Sequence, residues 1–116
     1  MEFSMKLNPK PYKMIKDGQK TVEMRLYDEK RQAISVGDII TFQNTENTEE
    51  ELRAQVVELY RFDSFKDLYD NLPLLECGYT EDSVKNASPE DMNEYYTCEE
   101  QAKYGVVGIR IRVLHK

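Results

Sequence analysis

The stretch "GQKTVEMRLYDEKRQ", Gly18 to Gln32, sets seven charged side chains among fifteen residues. Its first half still alternates: Val22, Met24 and Leu26 recur at every second position, as in a strand with one apolar face. Thr21, Glu23, Arg25 and Tyr27 then project from the opposite side. Lys20 shares the register of the apolar row, which directs its stem toward the core side or the rim of the sheet. The ordinary outcome of such a pattern is a solvated face with one weak Glu–Arg pair. If the row instead faces a hollow, Glu23 and Arg25 lie about 7 Å apart along the strand and couple. A lysine partly withdrawn from water can act as base or nucleophile. Lys20 and Glu23 are therefore the catalytic candidates, should the protein be an enzyme.

Further strands and helices follow on either side. "FSMKL" at 3–7 reads as a short strand. "NPKPYKMIKDG" reads as a helix with Asn8 as cap, Pro9 at the first helical position and Gly18 at its end. "DEKRQ" admits one helical turn, and Gly37-Asp38 turns into the strand "IITFQ". "NTENTEEE" is acidic and reads as the connection of a hairpin whose return strand is "LRAQVVELYRF". Ser64 caps a helix over "FKDLYDNL" that stops at Pro73. A short helix is expected near 81–86. Ser88-Pro89-Glu90-Asp91 starts another, and "CEEQAKYG" makes a third that ends at Gly105. "VVGIRIRVL" closes the chain as a strand, with Val107, Ile109, Ile111 and Val113 on one face and Arg110 and Arg112 on the other.

The hairpin at 38–61 leaves no room for regular parallel βαβ units. The pattern predicts an α+β fold: a mostly antiparallel curved sheet or small barrel with helices packed on it. One domain over 1–116 is expected, since two would each be too small to hold a core. The absence of an apolar signal core or membrane-length apolar run places the protein in the cytoplasm. There Cys77 and Cys98 remain thiols, too few for a disulfide framework.

Charge and residue types narrow the chemistry. The net charge is −6, yet residues 1–45 sum to +2 and residues 101–116 to +4, while 76–100 sum to −7. An acidic total opposes a broad grip on long nucleic acid but permits a small basic cleft. The single histidine, His115, stands beside the C-terminus and reads as a solvated tail residue, which removes a Ser/His/Asp or Cys/His arrangement. Cys77, Cys98 and His115 have no zinc spacing, so no metal and no cofactor is expected. Cys98, at a helix start, has some potential for reactivity, against the commoner fate of a buried structural thiol. Glu94, Glu99 and Glu100 stand near tyrosines, where a cleft carboxylate would find neighbours.

Gly18-x-Lys20-Thr21-x-Glu23-x-Arg25, with Gly37-Asp38 behind it, "EYY" at 94–96 and "YGVVGI" at 104–109, resembles the ASCH domain family, a relative of the PUA domain, over nearly the whole chain. The resemblance implies a small PUA-like β-barrel wrapped by short helices. It implies a cleft floored by the Lys-Thr-x-Glu-x-Arg strand and walled by the helices at 88–104. It implies RNA or a nucleotide-sized ligand as partner, held by Lys20, Thr21, Glu23 and Arg25. Tyr27 and Tyr96, with Tyr95 and Tyr104, would offer surfaces on which a base stacks. One ASCH-type group consists of amidohydrolases that remove an acetyl group from the exocyclic amine of acetylated cytidine, with the motif Lys-Thr-x-Thr-x-Arg and a glutamate from the helical region. Lys20, Thr21 and Arg25 match that motif, and Glu23 stands where the second threonine would be. A binding module is thus the first reading, an amidohydrolase on a modified cytidine the second, and a regulator that binds a partner through the acidic 76–100 surface the third.

Overall fold

The computed structural model describes residues 1–114, so His115 lies outside the described residues. The strands are β1 (Glu2–Leu7), β2 (Val22–Leu26), β3 (Ile39–Asn44), β4 (Asn47–Phe62) and β5 (Val106–Val113). Between them lie α1 (Pro9–Lys16), α2 (Glu29–Gln32), α3 (Phe65–Asn71) and α4 (Cys98–Tyr104). Two 3₁₀ segments, Val84–Asn86 and Pro89–Glu94, precede α4. The local signals act largely as their chemistry dictates. Ser64 Oγ accepts from Asp67 N at 3.2 Å, and Pro9 opens α1. Ser88 and Thr97 each form a reciprocal capping box with the acid three residues on. Asn8 does not cap: its Oδ1 accepts from Thr45 Oγ1 at 3.3 Å, tying α1 to the β3–β4 turn.

The five strands form one curled sheet, a half-barrel, in the order β1-β3-β4-β5-β2. Three pairings are antiparallel and β1–β3 is parallel. The sixteen-residue β4 pairs with β3 along its first part and with β5 along its second. A register shift between Val56 and Glu58 bends it, as an extra residue in one strand does. The acidic run is not the connection. The turn is only Thr45–Glu46, and Asn47 to Glu51 already belong to β4. Their backbone joins the ladder while their side chains remain exposed, so the run's polarity says nothing against extended structure.

Apolar side chains cover both faces of the sheet. Met5, Ile15, Phe42, Val56, Val107 and Ile109 belong to one cluster, with α1 against β3. Phe65, Leu68, Tyr69, Met92 and Val106 form the other, beneath α3. Met24 packs on this second cluster, whereas Glu23 and Arg25 stand opposite Ile109 and Val107 and share the face of the first. The strand therefore has no solvent face. Its polar row points toward the seam between β2 and β1, the two edges of the sheet.

Gly105 sets the junction between α4 and β5. Its φ is +72°, its carbonyl accepts from Tyr27 N at 3.0 Å, and a Cβ there would lie 2.9 Å from the Phe62 carbonyl oxygen. Gly105→Ala should destabilise the protein by about 2 kcal/mol through backbone strain and the clash. The check is a lower urea midpoint with an unchanged denaturant slope.

Candidate functional site

Three charged side chains that begin within six residues of one another are gathered at the seam. Lys20 does not continue the strand. Its backbone N–H donates to Met14 O at 3.1 Å, so the end of α1 holds it back. Its stem runs across Gly78, which has φ +114° and whose Cβ, were there one, would lie 3.4 Å from Lys20 Cδ. From there Nζ reaches Glu23 Oε1 at 2.7 Å. The other carboxylate oxygen of Glu23 accepts from Arg25 Nε at 3.1 Å and Nη2 at 2.8 Å. Lys20 is 8% exposed and Glu23 3%.

Burial alone would raise the pKa of Glu23. The Lys20 ammonium and the Arg25 guanidinium, by charge and by hydrogen bonding, outweigh it and hold the carboxyl at about 2. For Arg25, burial works to lower the pKa, and Glu23 and then the Tyr96 phenol raise it above the ordinary value. Arg25 Nη2 also donates to Lys6 O at 3.1 Å. One guanidinium thus links the two edges of the half-barrel, β2 and β1.

These groups floor a cavity of about 420 Å³. On one side Lys6, Asn8 and Lys10 form the rim, and neither lysine is ion-paired among the described residues. On the other side Tyr96 stacks on Phe65, with ring centroids 6.2 Å apart and an interplanar angle of 14°. Tyr95 is 59% exposed at the lip. The back wall carries Tyr79, whose hydroxyl donates to Asp91 Oδ2 at 2.6 Å and lies 2.7 Å from the Tyr69 oxygen behind it. Burial first, then the bond to Asp91, pushes the Tyr79 phenol far up, so it remains a donor. Cys77 also lines the cavity. It is buried, and burial raises its thiol to about 11, which makes it inert.

Of the residues named from sequence, Lys20, Glu23, Arg25 and Tyr96 meet in this cavity, and Thr21 and Tyr27 do not. Thr21 precedes the strand. Its Oγ1 donates to Glu76 Oε1 at 2.9 Å, and its N–H and that of Val22 both donate to Glu76 O. Arg110 Nη1 donates to Glu76 Oε1 at 2.8 Å, and the two side-chain bonds, Arg110's first and then Thr21's, hold the Glu76 carboxyl below its usual range. Thr21 thereby pins the loop that presents Cys77, Gly78 and Tyr79 to the cavity. Tyr27 lies past the end of β2, against Arg61 in a separate hollow. Glu94 lines the cavity, while Glu100 is spent on the Thr97 cap. Cys98 is exposed, with its Sγ 3.9 Å from Asn93 Oδ1. Lys6, Lys10, Tyr79 and Asp91 were not singled out from sequence. The lysines stand 10 to 19 residues ahead of Lys20 and Arg25, Lys6 on β1 and Lys10 on α1, and the parallel β1–β3 pairing is what sets β1 at the seam. Asp91 is legible only as a helix cap.

A family model described as the ASCH domain matches residues 5–115. The chain belongs to the ASCH domain family. Two solved structures share 31% identity with it. Hypothetical protein PH0355 matches with a TM-score of 0.81, over 98% of this chain and 100% of that one. Protein PF0455 from Pyrococcus furiosus matches with a TM-score of 0.76, over 100% of both chains. ASCH from Zymomonas mobilis, at 17% identity and a TM-score of 0.65, shares the fold over 94% of this chain and 65% of its own. No curated protein matches the chain. No helix among the described residues is long and apolar enough to cross a membrane, and no cluster of His, Cys, Asp and Glu among them could hold a metal ion.

Glu23→Gln removes the one anion between the buried Lys20 and the half-buried Arg25. It should destabilise the protein by about 3–5 kcal/mol at neutral pH. The pH dependence has a definite sign. Folding depresses the Glu23 pKa from 4.5 to about 2, so its contribution, about 3 kcal/mol, is present above pH 4.5 and is lost as the pH falls toward 2. Urea midpoints measured down this range should fall steeply for the parent and less steeply for Glu23→Gln.

Proposed function

We propose that the seam cavity binds a nucleotide-sized unit of RNA. The ASCH family is thought to bind RNA. The observation that carries the reading is a cavity of about 420 Å³ whose cationic floor is fixed by Glu23 while unpaired lysines stand at its rim and a tyrosine ring forms its wall. That volume lies within the range of roughly 300–1,000 Å³ usual for small-ligand sites. Tyr96, backed by Phe65, gives a base a rigid face, and stacking of this kind contributes about 1–3 kcal/mol per base. Arg25 Nε and Nη2 are committed to Glu23 and Lys6. Nη1 makes no such bond and is the nitrogen that would meet a carbonyl or phosphate oxygen. Lys6 and Lys10 take the phosphate at the rim, and Asp91 and Glu94 accept from an exocyclic amino group. With so few free cations the site suits a short single strand or its end, in keeping with the acidic total charge.

The geometry favours binding over hydrolysis of an acylated cytidine. A hydrolase needs a group that takes up a proton near neutral pH. Both oxygens of Glu23 are occupied by cations, and a carboxyl held at about 2 is a poor base.

Titration of nucleoside monophosphates and short single-stranded RNAs tests the reading. Tyr96→Ala should weaken both by about 5- to 150-fold, the range that loss of one stacked base implies. Lys6→Ala with Lys10→Ala should weaken both and reduce the salt dependence. Equal binding by parent and variants overturns the reading, and turnover of acetylated cytidine at the seam would replace it with the hydrolytic one.

A further inference from the structure

A second hollow, of about 800 Å³ and more open than the first, lies at the far end of the same two elements. Its walls carry two cation–aromatic pairs. Arg61 Cζ sits 5.5 Å from the centre of the Tyr27 ring, and Lys103 Nζ sits 5.0 Å from that of Tyr104. Both tyrosines are half-buried and both cations exposed. Neither Arg61 nor Lys103 is ion-paired among the described residues. Asp63 and Asp67 line the same hollow without engaging either cation.

The hollow is joined to the seam cavity by the chain itself. Arg25 lines the cavity, and two residues on, about 7 Å along an extended backbone, Tyr27 lines the hollow. The segment before α4 supplies Tyr96 to the cavity, and the end of α4 supplies Lys103 and Tyr104 to the hollow. Tyr27 N donates to Gly105 O at 3.0 Å, which fastens the two lines together at the hollow's end. A ligand that leaves the cavity along this direction next meets the Arg61–Tyr27 pair, in which Arg61 Nη1 also donates to the Tyr27 hydroxyl at 3.4 Å, and the Lys103–Tyr104 pair, neither cation having a carboxylate partner among the described residues.

We propose that this hollow is a second nucleotide subsite, so that the protein's ligand is a single RNA strand of at least two nucleotides running from the seam cavity to the Tyr27/Tyr104 platform. The proposal rests on the reading of the first cavity as a nucleotide site. A base stacks on the Arg61 guanidinium or on an aromatic face, as unpaired RNA bases do on arginine and tyrosine planes. The adjoining phosphate meets Arg61 and Lys103 at the outer rim. Asp63 and Asp67 exclude it from the interior and accept from the amino groups of the base.

The test compares a nucleoside monophosphate with a fluorescently labelled mixed-sequence RNA hexamer, using the full chain. The parent should bind the hexamer at least about tenfold more tightly than the mononucleotide. The double variant Arg61→Ala, Lys103→Ala should lose that gain and leave mononucleotide binding unchanged. The slope of log affinity against log salt for the hexamer should fall by about 0.7, the release expected for one phosphate on a single strand. A hexamer that binds no better than the mononucleotide, or a double variant that keeps the parent's hexamer affinity, overturns the second subsite alone. Failure of the parent to bind any nucleotide or RNA overturns both sites. Both substituted residues are exposed, so an unchanged melting temperature shows that any loss is one of contact.

Discussion

The carboxylate of Glu23 is the constraint on which the rest of the molecule turns. It is a buried anion between one buried cation, Lys20, and one half-buried one, Arg25, and it is tolerable there only because of them. Removing ions from water costs several kcal/mol apiece, and their mutual attraction returns this only with close geometry and satisfied hydrogen bonds. The geometry here is close. Lys20 takes one oxygen, Arg25 takes the other through two nitrogens, and the guanidinium then spends its remaining reach on the Lys6 carbonyl. A hydrophobic triplet of equal volume would fill the space with less desolvation. It would not span from one edge strand to the other, because only a long donor can satisfy a main-chain carbonyl at that distance.

That bridge explains why the half-barrel stays open yet does not splay. A sheet edge exposes main-chain donors and acceptors that would pair with anything available. At the start of β2 the main chain donates to Glu76 O, and across the seam the Arg25 guanidinium takes up the Lys6 carbonyl of β1. The gap between β1 and β2 therefore persists as a cavity instead of closing into backbone pairing. The charged floor and the open seam are one feature seen from two directions. The loop at 76–79 is drawn in for the same reason: Thr21 holds Glu76, and Gly78 lets the lysine stem pass beneath it.

Much of this was legible in the sequence where the signal is local. Alternation at 22–26 and 106–113 gave the strands and their faces, and Ser64, Pro9 and Ser88 marked helix starts correctly. The Lys20, Glu23 and Arg25 grouping followed from spacing, with the family resemblance pointing the same way. What spacing could not give is anything set by non-local pairing. The parallel β1–β3 contact brings Lys6 to the seam, and no pattern within residues 1–10 announces it. Alternation puts Tyr27 in the same row as Arg25. The strand ends at Leu26, and the chain passes over Gly105 into another hollow. The acid run at 46–51 looked like a loop because composition reports solvation, and a strand that outruns its core is solvated too.

The same arrangement fixes a division of labour between stability and recognition. Groups that are fully paired in the free protein cannot gain much when a ligand arrives, since every new bond must displace an old one. Glu23 and Lys20 are of this kind, and they serve as a rigid, nearly neutral floor. Lys6, Lys10, Tyr95 and the outer face of the Tyr96 ring keep unspent capacity, and they line the open side. A site built in this way is organised before the ligand binds, so its affinity is not drained by ordering the protein. It also separates two readouts. Substitutions on the floor act through folding and through acid sensitivity. Substitutions of the exposed rim residues Lys6, Lys10 and Tyr95 leave the melting curve in place and act on the ligand, which is why the identity of the ligand must be read from the rim.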